Sequence, residues 1–318
     1  MNRKALEQLV DTHWPARIVS TTAELAAAGI GDRILTAGVR FGVLTRLRRG
    51  AFIRAGIWLP ASARQQDLYR LDAHVLTSGA ACTYSHFTAA LIWRCRPWPP
   101  VPGIHLSSAS SFRSARTGRD VVGHRALIAP DEVRGAVHRT GIRIELTSLE
   151  RTVVDCARVG EFGSAVVVGD QALRRGADLG RMNQLLEQPG FSRGIRRARR
   201  VLAALDGRSE SAGETRTRLL IAGWPVPQPV LQLEIVTSAG IFRPDFAWPD
   251  LMLILEFDGK GKYFDYRPTG EALYEERRRE RILMEQGWRF LRIEWADLDR
   301  PDELRRRLQA AMLAGGLG

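Results

Sequence analysis

Lysine is almost missing from this sequence: of its 47 basic residues, only Lys4, Lys260 and Lys262 are not arginine. An arginine bias of that size reflects GC-rich coding. The lysines that survive it ask for a reason, and two of the three stand in one short segment. Cysteine is scarce as well. Cys82, Cys95 and Cys156 have no metal-type spacing. Their odd number argues against a disulfide framework, which predicts a reducing, cytoplasmic setting. No apolar run approaches the roughly 18 residues that a membrane-spanning helix needs, so no membrane association is expected. The opening Met1-Asn2-Arg3-Lys4, followed by Ala5-Leu6-Glu7-Gln8-Leu9, reads as an amphipathic helix, because a signal peptide requires a longer apolar stretch.

What is present in quantity is apolar side chain and positive charge. With 318 residues, 45% hydrophobic and 8% aromatic, the chain can bury real cores and is long enough for two or three domains. The formal net charge of +12 is unevenly spread. Residues 1–208 carry 31 basic against 17 acidic residues, whereas residues 209–318 carry 16 against 18. A basic front half joined to a slightly acidic back half points to a polyanion gripped by the front, with DNA as the expected partner.

Three segments are expected, 1–60, 61–208 and 209–318, in an α/β chain of multidomain α+β type. In the first, Thr21-Thr22-Ala23-Glu24 is a capping box opening a helix that Gly29 ends. A second short helix spans about Asp32–Phe41. Val43–Leu47 and Ala51–Ile53 then flank the turn Arg48-Arg49-Gly50. Helix, turn, helix, basic hairpin is the order of a winged helix-turn-helix. In that arrangement Arg33 and Arg40 on the second helix, with Arg46, Arg48, Arg49 and Arg54 on the hairpin, would meet base edges and phosphates.

The middle segment reads as mixed α/β, with helices at Gln66–Ser78 and Thr88–Trp93 and a proline-rich break from Pro97 to Pro102. A strand at Ile142–Leu146 leads into a helix opened by Thr147-Ser148-Leu149-Glu150. His86 and His124 read as structural. A basic helix near Ile195–Leu205 closes the segment. There Arg193, Arg196, Arg197, Arg199 and Arg200 place five arginines in eight residues, which is either a solvated face or a phosphate track. The polar, glycine-bearing stretch Asp206–Gly213 marks the last boundary. Beyond it a mixed sheet flanked by helices is expected. Its strands are Val230–Val236, Ile241–Trp248, the nearly all-apolar Leu251–Phe257, and Trp288–Trp295. Its helices are Glu214–Ala222, Glu271–Gln286 and Pro301–Leu313.

The chemistry is concentrated in Arg243-Pro244-Asp245 and in Leu255-Glu256-Phe257-Asp258-Gly259-Lys260-Gly261-Lys262. Carboxylates at the end of an apolar strand are costly to bury without compensation, and a divalent cation, Mg²⁺ or Mn²⁺, supplies it. If Pro249-Asp250 is a two-residue turn, Asp245 lies opposite Ile254. Alternation then points Asp245, Glu256 and Asp258 to one face, and Glu214 on the preceding helix could reach it. Such a site suits metal-assisted phosphodiester hydrolysis, with a lysine stabilising the developing charge.

These residues resemble the PD-(D/E)xK nuclease superfamily. The pattern Glu256-x-Asp258-Gly259-x-x-Lys262-Tyr263, followed by Gly287-Trp288-Arg289-Phe290-Leu291-Arg292, is similar to its very-short-patch-repair (Vsr-like) branch over roughly residues 209–300. The resemblance implies a restriction-endonuclease-like sheet, metal ligation by Asp245 and Glu256, and catalytic roles for Glu214, Asp258 and Lys262. The superfamily's lysine is expected two residues after Glu256, where this chain has Asp258, which makes Lys262 the candidate.

Residues 1–170 resemble the AbiEi-like type IV antitoxin family. The matching segments are Arg46-Leu47-Arg48-Arg49-Gly50-Ala51-Phe52, Ser85-His86-Phe87-Thr88-Ala89-Ala90 and Thr147-Ser148-Leu149-Glu150-Arg151-Thr152-Val153-Val154-Asp155. That resemblance implies sequence-directed DNA binding and a cognate toxin or other regulatory partner. Two functions are therefore expected: a DNA endonuclease, or a non-catalytic DNA-binding regulator of antitoxin type.

Overall fold

The computed structural model describes residues 2–78, 82–109, 120–188, 193–259 and 270–314. The chain has a mixed α/β architecture with several sheets and divides into two compact units, Met1–Cys156 and Ala157–Gly318. None of its described helices is long and apolar enough to cross a membrane.

The first unit opens with α1 (Arg3–His13), β1 (Val19–Thr21), α2 (Thr22–Ala27), α3 (Asp32–Arg40), β2 (Leu44–Arg48) and β3 (Ala51–Arg54). The predicted capping box forms: Glu24 N–H donates to Thr21 Oγ1 at 3.2 Å, and Thr21 N–H donates to the Glu24 carboxylate at 2.8 Å. Gly29, at φ +84°, makes the left-handed turn into α3 that a side chain would strain. The antiparallel order β1-β3-β2, with α1, α2 and α3 beside it, is a winged helix-turn-helix. Leu6, Leu25, Leu35, Leu44 and Phe52 form its core. α3 lies so close to β2 that a Cβ at Gly38 would come within 2.7 Å of Leu44.

After α4 (Ala55–Trp58), α5 (Ala63–Thr77) lays Tyr69 and Ala73 against the other face of this small sheet, beside Val19, Ala51 and Ile53. The rest of the unit is a five-stranded sheet built from β4 (Thr83–Tyr84), β5 (Ile104–Ser108), β6 (Val121–Arg125), β7 (Val133–Val137) and β8 (Arg143–Thr147), in the order β6-β5-β4-β8-β7, with α6 (His86–Ile92) between β4 and β5. α7 (Leu149–Val159) runs across the boundary between the units.

The second unit begins with α8 (Phe162–Leu173), α9 (Leu179–Glu187), α10 (Ile195–Ala203) and α11 (Ala212–Ala222). The chain divides after Cys156, not at 60 and 208, so residues 61–208 are shared between the two units. The reason lies in Asp170 on α8, which is fully buried. Its carboxylate accepts from Arg218 at 2.7 Å and Thr215 at 2.8 Å, both on α11, and from the Asp206 N–H at 2.8 Å. These bonds tie the polar 206–213 stretch to the helices on either side of it.

Beyond α11 come β9 (Val230–Leu231), the ribbon β10 (Ile235–Thr237) and β11 (Gly240–Phe242), β12 (Phe246–Trp248), β13 (Leu253–Asp258), α12 (Gly270–Glu285), β14 (Arg289–Glu294), α13 (Trp295–Leu298) and α14 (Pro301–Leu313). The mixed sheet has the order β14-β13-β12-β9, with β13 and β14 parallel and the other pairs antiparallel. One face packs Phe246, Trp248, Leu253 and Leu255 against Ile221 of α11 and Leu304 and Leu308 of α14. The other packs Ala247 and Ile254 against Leu283 of α12 and Trp288.

Candidate active site and nucleic-acid interface

Strand β13 changes character along its length. Leu253, Ile254 and Leu255 are at most 1% exposed, whereas Glu256, Phe257 and Asp258 are half-buried where the strand leaves the core. Ile254 faces α12, so alternation places Glu256 and Asp258 on that face too. The two-residue turn expected between β12 and β13 is not what forms. Residues Pro249–Leu251 make a short 3-10 turn, and Met252 takes a left-handed conformation at φ +46°. The longer connection slips the register by two residues: Phe246 pairs with Leu255 and Ala247 with Ile254. A slip of two preserves the face. Asp245 is then the residue just before β12, and its carboxylate reaches the backbone of β13 at Phe257.

Asp245 is held firmly. Its Oδ2 accepts from the Phe257 N–H at 2.8 Å, and its own carbonyl accepts from the Gln232 N–H at 3.3 Å. Burial pushes its carboxyl up to about 6, assisted by the charge of Glu210 and opposed by the bonds from Phe257 and Gln232. Glu214 lies in the first turn of α11 with 7% of its surface exposed. Its backbone N–H donates to Ser211 Oγ at 3.1 Å, while its carboxylate accepts from the Glu210 N–H at 2.6 Å. Burial, and then the charge of Asp245, push the Glu214 carboxyl up to about 7.

Glu256 pairs in register with Arg292 on β14, and Arg292 donates to Glu280 of α12 at 2.9 Å. Asp258 pairs in register with Glu294. Lys260 and Lys262 lie outside the described residues.

Among the described residues, no three His, Cys, Asp or Glu side chains are gathered as a metal cage. The donors present still suit a hard divalent cation. For Asp245 and Glu214 the charged carboxylate is disfavoured by burial and by nearby acidic charge, Glu210 for the first and Asp245 with Glu210 for the second, and a cation would offset both effects. Mg²⁺ needs only one or two carboxylates and completes its shell with water and phosphate oxygens. Asp245 and Glu256 could hold it.

The six arginines expected to face DNA fall into two groups. Arg33 and Arg40 on α3, and Arg46 and Arg49 on the hairpin, are exposed. Arg48 and Arg54 are engaged inside the unit: Arg48 pairs with Asp120 at 3.3 Å, and Arg54 with Asp11 of α1 at 2.9 Å. The cause for Arg48 is a bulge. Arg46 pairs with Phe52 and Arg48 with Ala51, so Leu47 is an extra residue and the alternation resets. Arg48 then sits on the same side as Ala51 and Ile53, toward α5, and only 14% of its side chain is exposed.

Sequence reasoning passed over Glu210 and Gln232, both of which act on Asp245. A Glu210-x-x-x-Glu214 pair at a helix start was a usable signal for the first. For Gln232, at φ +52°, the sequence carried none. His86 and His124, read as structural, stack at 3.5 Å between ring centroids, and His124 Nε2 lies 3.0 Å from Nδ1 of His105. Burial and the charge of the neighbouring His124 push His105 down to about 4.

No family model matches the chain. Two proteins of Mycobacterium tuberculosis are similar to it: uncharacterized protein MT2308 of strain CDC 1551 / Oshkosh and uncharacterized protein Rv2248 of strain ATCC 25618 / H37Rv. Each is 34% identical over 172 residues, which is 52% of this chain and 62% of the relative. The chain thus spans less than two thirds of the curated relatives it matches. The crystal structure of RV2827C protein from Mycobacterium tuberculosis aligns over 74% of this chain and 89% of that one, with a TM-score of 0.41 and 15% identity.

Proposed function

We propose that this chain is a DNA-binding protein whose second unit hydrolyses phosphodiester bonds, with Mg²⁺ or Mn²⁺ held by Asp245 and Glu256. One observation carries the reading: two carboxyl groups near the end of an apolar strand, Asp245 and Glu214, are raised toward neutrality, Glu214 by burial and the charge of Asp245, and Asp245 by burial and the charge of Glu210. Structural acids are normally given a basic partner, whereas carboxyls poised near the working pH belong to sites that move protons. When bound, the cation supplies Lewis-acid polarisation of a phosphoryl oxygen and acidifies a water.

The chain's own residues do the rest. Phe257 N–H fixes the Asp245 carboxylate. Glu214, poised near 7, accepts a proton from the attacking water. By the Vsr-like resemblance, Lys262 is the candidate to stabilise the charge that develops on the scissile phosphate, and Asp258 is a further catalytic candidate. Arg33, Arg40, Arg46 and Arg49 hold the duplex through phosphates and base edges.

The test is cleavage of duplex, single-stranded and mismatched DNA in Mg²⁺ and in Mn²⁺, with Asp245→Asn as the control. Wild type should cut and Asp245→Asn should not, while both bind DNA equally. One feature favours a second reading, a DNA-binding regulator of antitoxin type with a cognate toxin as partner: Asp258 stands where the superfamily has its lysine. DNA binding without cleavage in either metal would make that reading the better one.

A further inference from the structure

The five arginines around α10 are not equivalent. Arg199 pairs with Glu187 of α9 at 3.0 Å. Arg196, Arg197 and Arg200 instead line a cavity of about 640 Å³ with Val159, Glu161 and Phe162. Among the described residues, none of these three is ion-paired, and Glu161 is the one carboxylate in the lining. Their positions are built. Arg197 Nη1 donates to the Val159 carbonyl at 3.2 Å, and the Arg200 guanidinium lies over the Phe162 ring at 4.4 Å. The start of α10 is pinned to the end of α7, because Arg158 Nε donates to the Arg193 carbonyl at 2.9 Å. Gly194 makes this approach possible: it sits at φ +80°, and a Cβ there would fall 2.5 Å from the Arg158 carbonyl oxygen.

Three unpaired guanidinium groups beside one carboxylate favour an anion. A cavity of this size is also ample for one nucleotide, since small-molecule pockets run from about 300 Å³. A planar guanidinium stacked on an aromatic ring offers a flat face to a base, which is how sequence-tolerant binding of unpaired strands works. Arg193, outside the lining, is exposed as well. We propose that this cavity is a second nucleic-acid site, holding one nucleotide of a single strand with its phosphate against Arg196 and Arg197 and its base against the Phe162–Arg200 stack. The proposal rests on the nucleic-acid reading of the chain, and it is independent of cleavage.

The experiment is fluorescence anisotropy of a labelled oligothymidylate against the full chain in EDTA, which removes any cleavage. The background carries Arg46→Ala and Arg49→Ala to silence the hairpin. Adding Arg196→Ala with Arg197→Ala should raise Kd at least tenfold and lower the log–log salt slope by about 0.7 for each phosphate no longer neutralised. Arg200→Lys keeps the charge and loses the stacking plane, so Kd should rise severalfold with the slope unchanged. Unchanged Kd and slope in the double variant would overturn the site. Competition by duplex DNA or by free thymidine monophosphate as effective as by the strand would overturn the single-strand assignment. A wild-type chain that fails to cut DNA removes the nuclease reading and leaves these outcomes as they stand.

Discussion

Arg151 in the first unit and Asp245 in the second are both charged groups drawn out of water, but their surroundings have opposite sense. Arg151 is 1% exposed and lies between Glu132 and Asp155, with its Nε 3.0 Å from Asp155 and its Nη1 bonded to Glu132. Asp170 in the second unit is likewise matched, by Arg218. Among the described residues, Asp245 and Glu214 have no such match. The charges that raise Glu214 are those of Asp245 and Glu210, and Asp245 in turn is raised by Glu210. Burial alone therefore does not separate the matched acids from those of the proposed site; the sign of the surrounding charge does.

The largest expected effect tests the working acids. Asp245→Asn keeps the shape and still accepts from Phe257 N–H, yet it should lower single-turnover cleavage by about a thousandfold or more, on the order of 4 kcal/mol. Glu256→Gln should behave the same way, with DNA affinity unchanged in both. Equal cutting by wild type and Asp245→Asn would assign the activity elsewhere.

Next in size is the structural triad. Arg151→Met strands two buried carboxylates and should cost about 3–5 kcal/mol in urea denaturation. Asp245→Asn should instead leave stability unchanged or raise it. If both variants destabilise alike, the contrast between the two sets of acids fails.

A smaller effect is the pH dependence of stability. The Glu214 and Asp245 carboxyls are raised in the folded chain, to about 7 and about 6, so folding takes up protons. Their contribution is fully present below about pH 4 and is lost as pH rises to about 7. The loss should be reduced in Asp245→Asn and by added Mg²⁺, and denaturation midpoints across that range measure both. A wild-type profile parallel to that of the variant would sink the claim.

The smallest effect separates the arginines of the hairpin. Replacing Arg46 and Arg49 with Ala should lower the log–log salt slope of duplex binding by about 0.9 for each phosphate left without its arginine. Arg48→Ala should leave the slope alone and cost at most about 1 kcal/mol of stability through its pair with Asp120. The reverse pattern would mean that the bulge does not turn Arg48 inward.

What the sequence determined by itself was local or strictly periodic. The Thr21–Glu24 box, the left-handed Gly29 and the hairpin around Gly50 follow from residues within a few positions of one another, so the winged helix was legible. Alternation put Glu256 and Asp258 on one face of β13, a reading that does not depend on the register because the side-chain period is two. The tertiary structure alone decided the rest. Arg48 turned inward because a bulge reset its face. The boundary moved from 208 to 156 because Asp170 gathers Thr215, Arg218 and Asp206 from 36 or more residues away. Glu214 became an acid poised near neutrality because burial, Asp245 and Glu210 act on it together. Desolvation and charge fields are sums over neighbours in space, and neighbours in space are what a linear sequence leaves unstated.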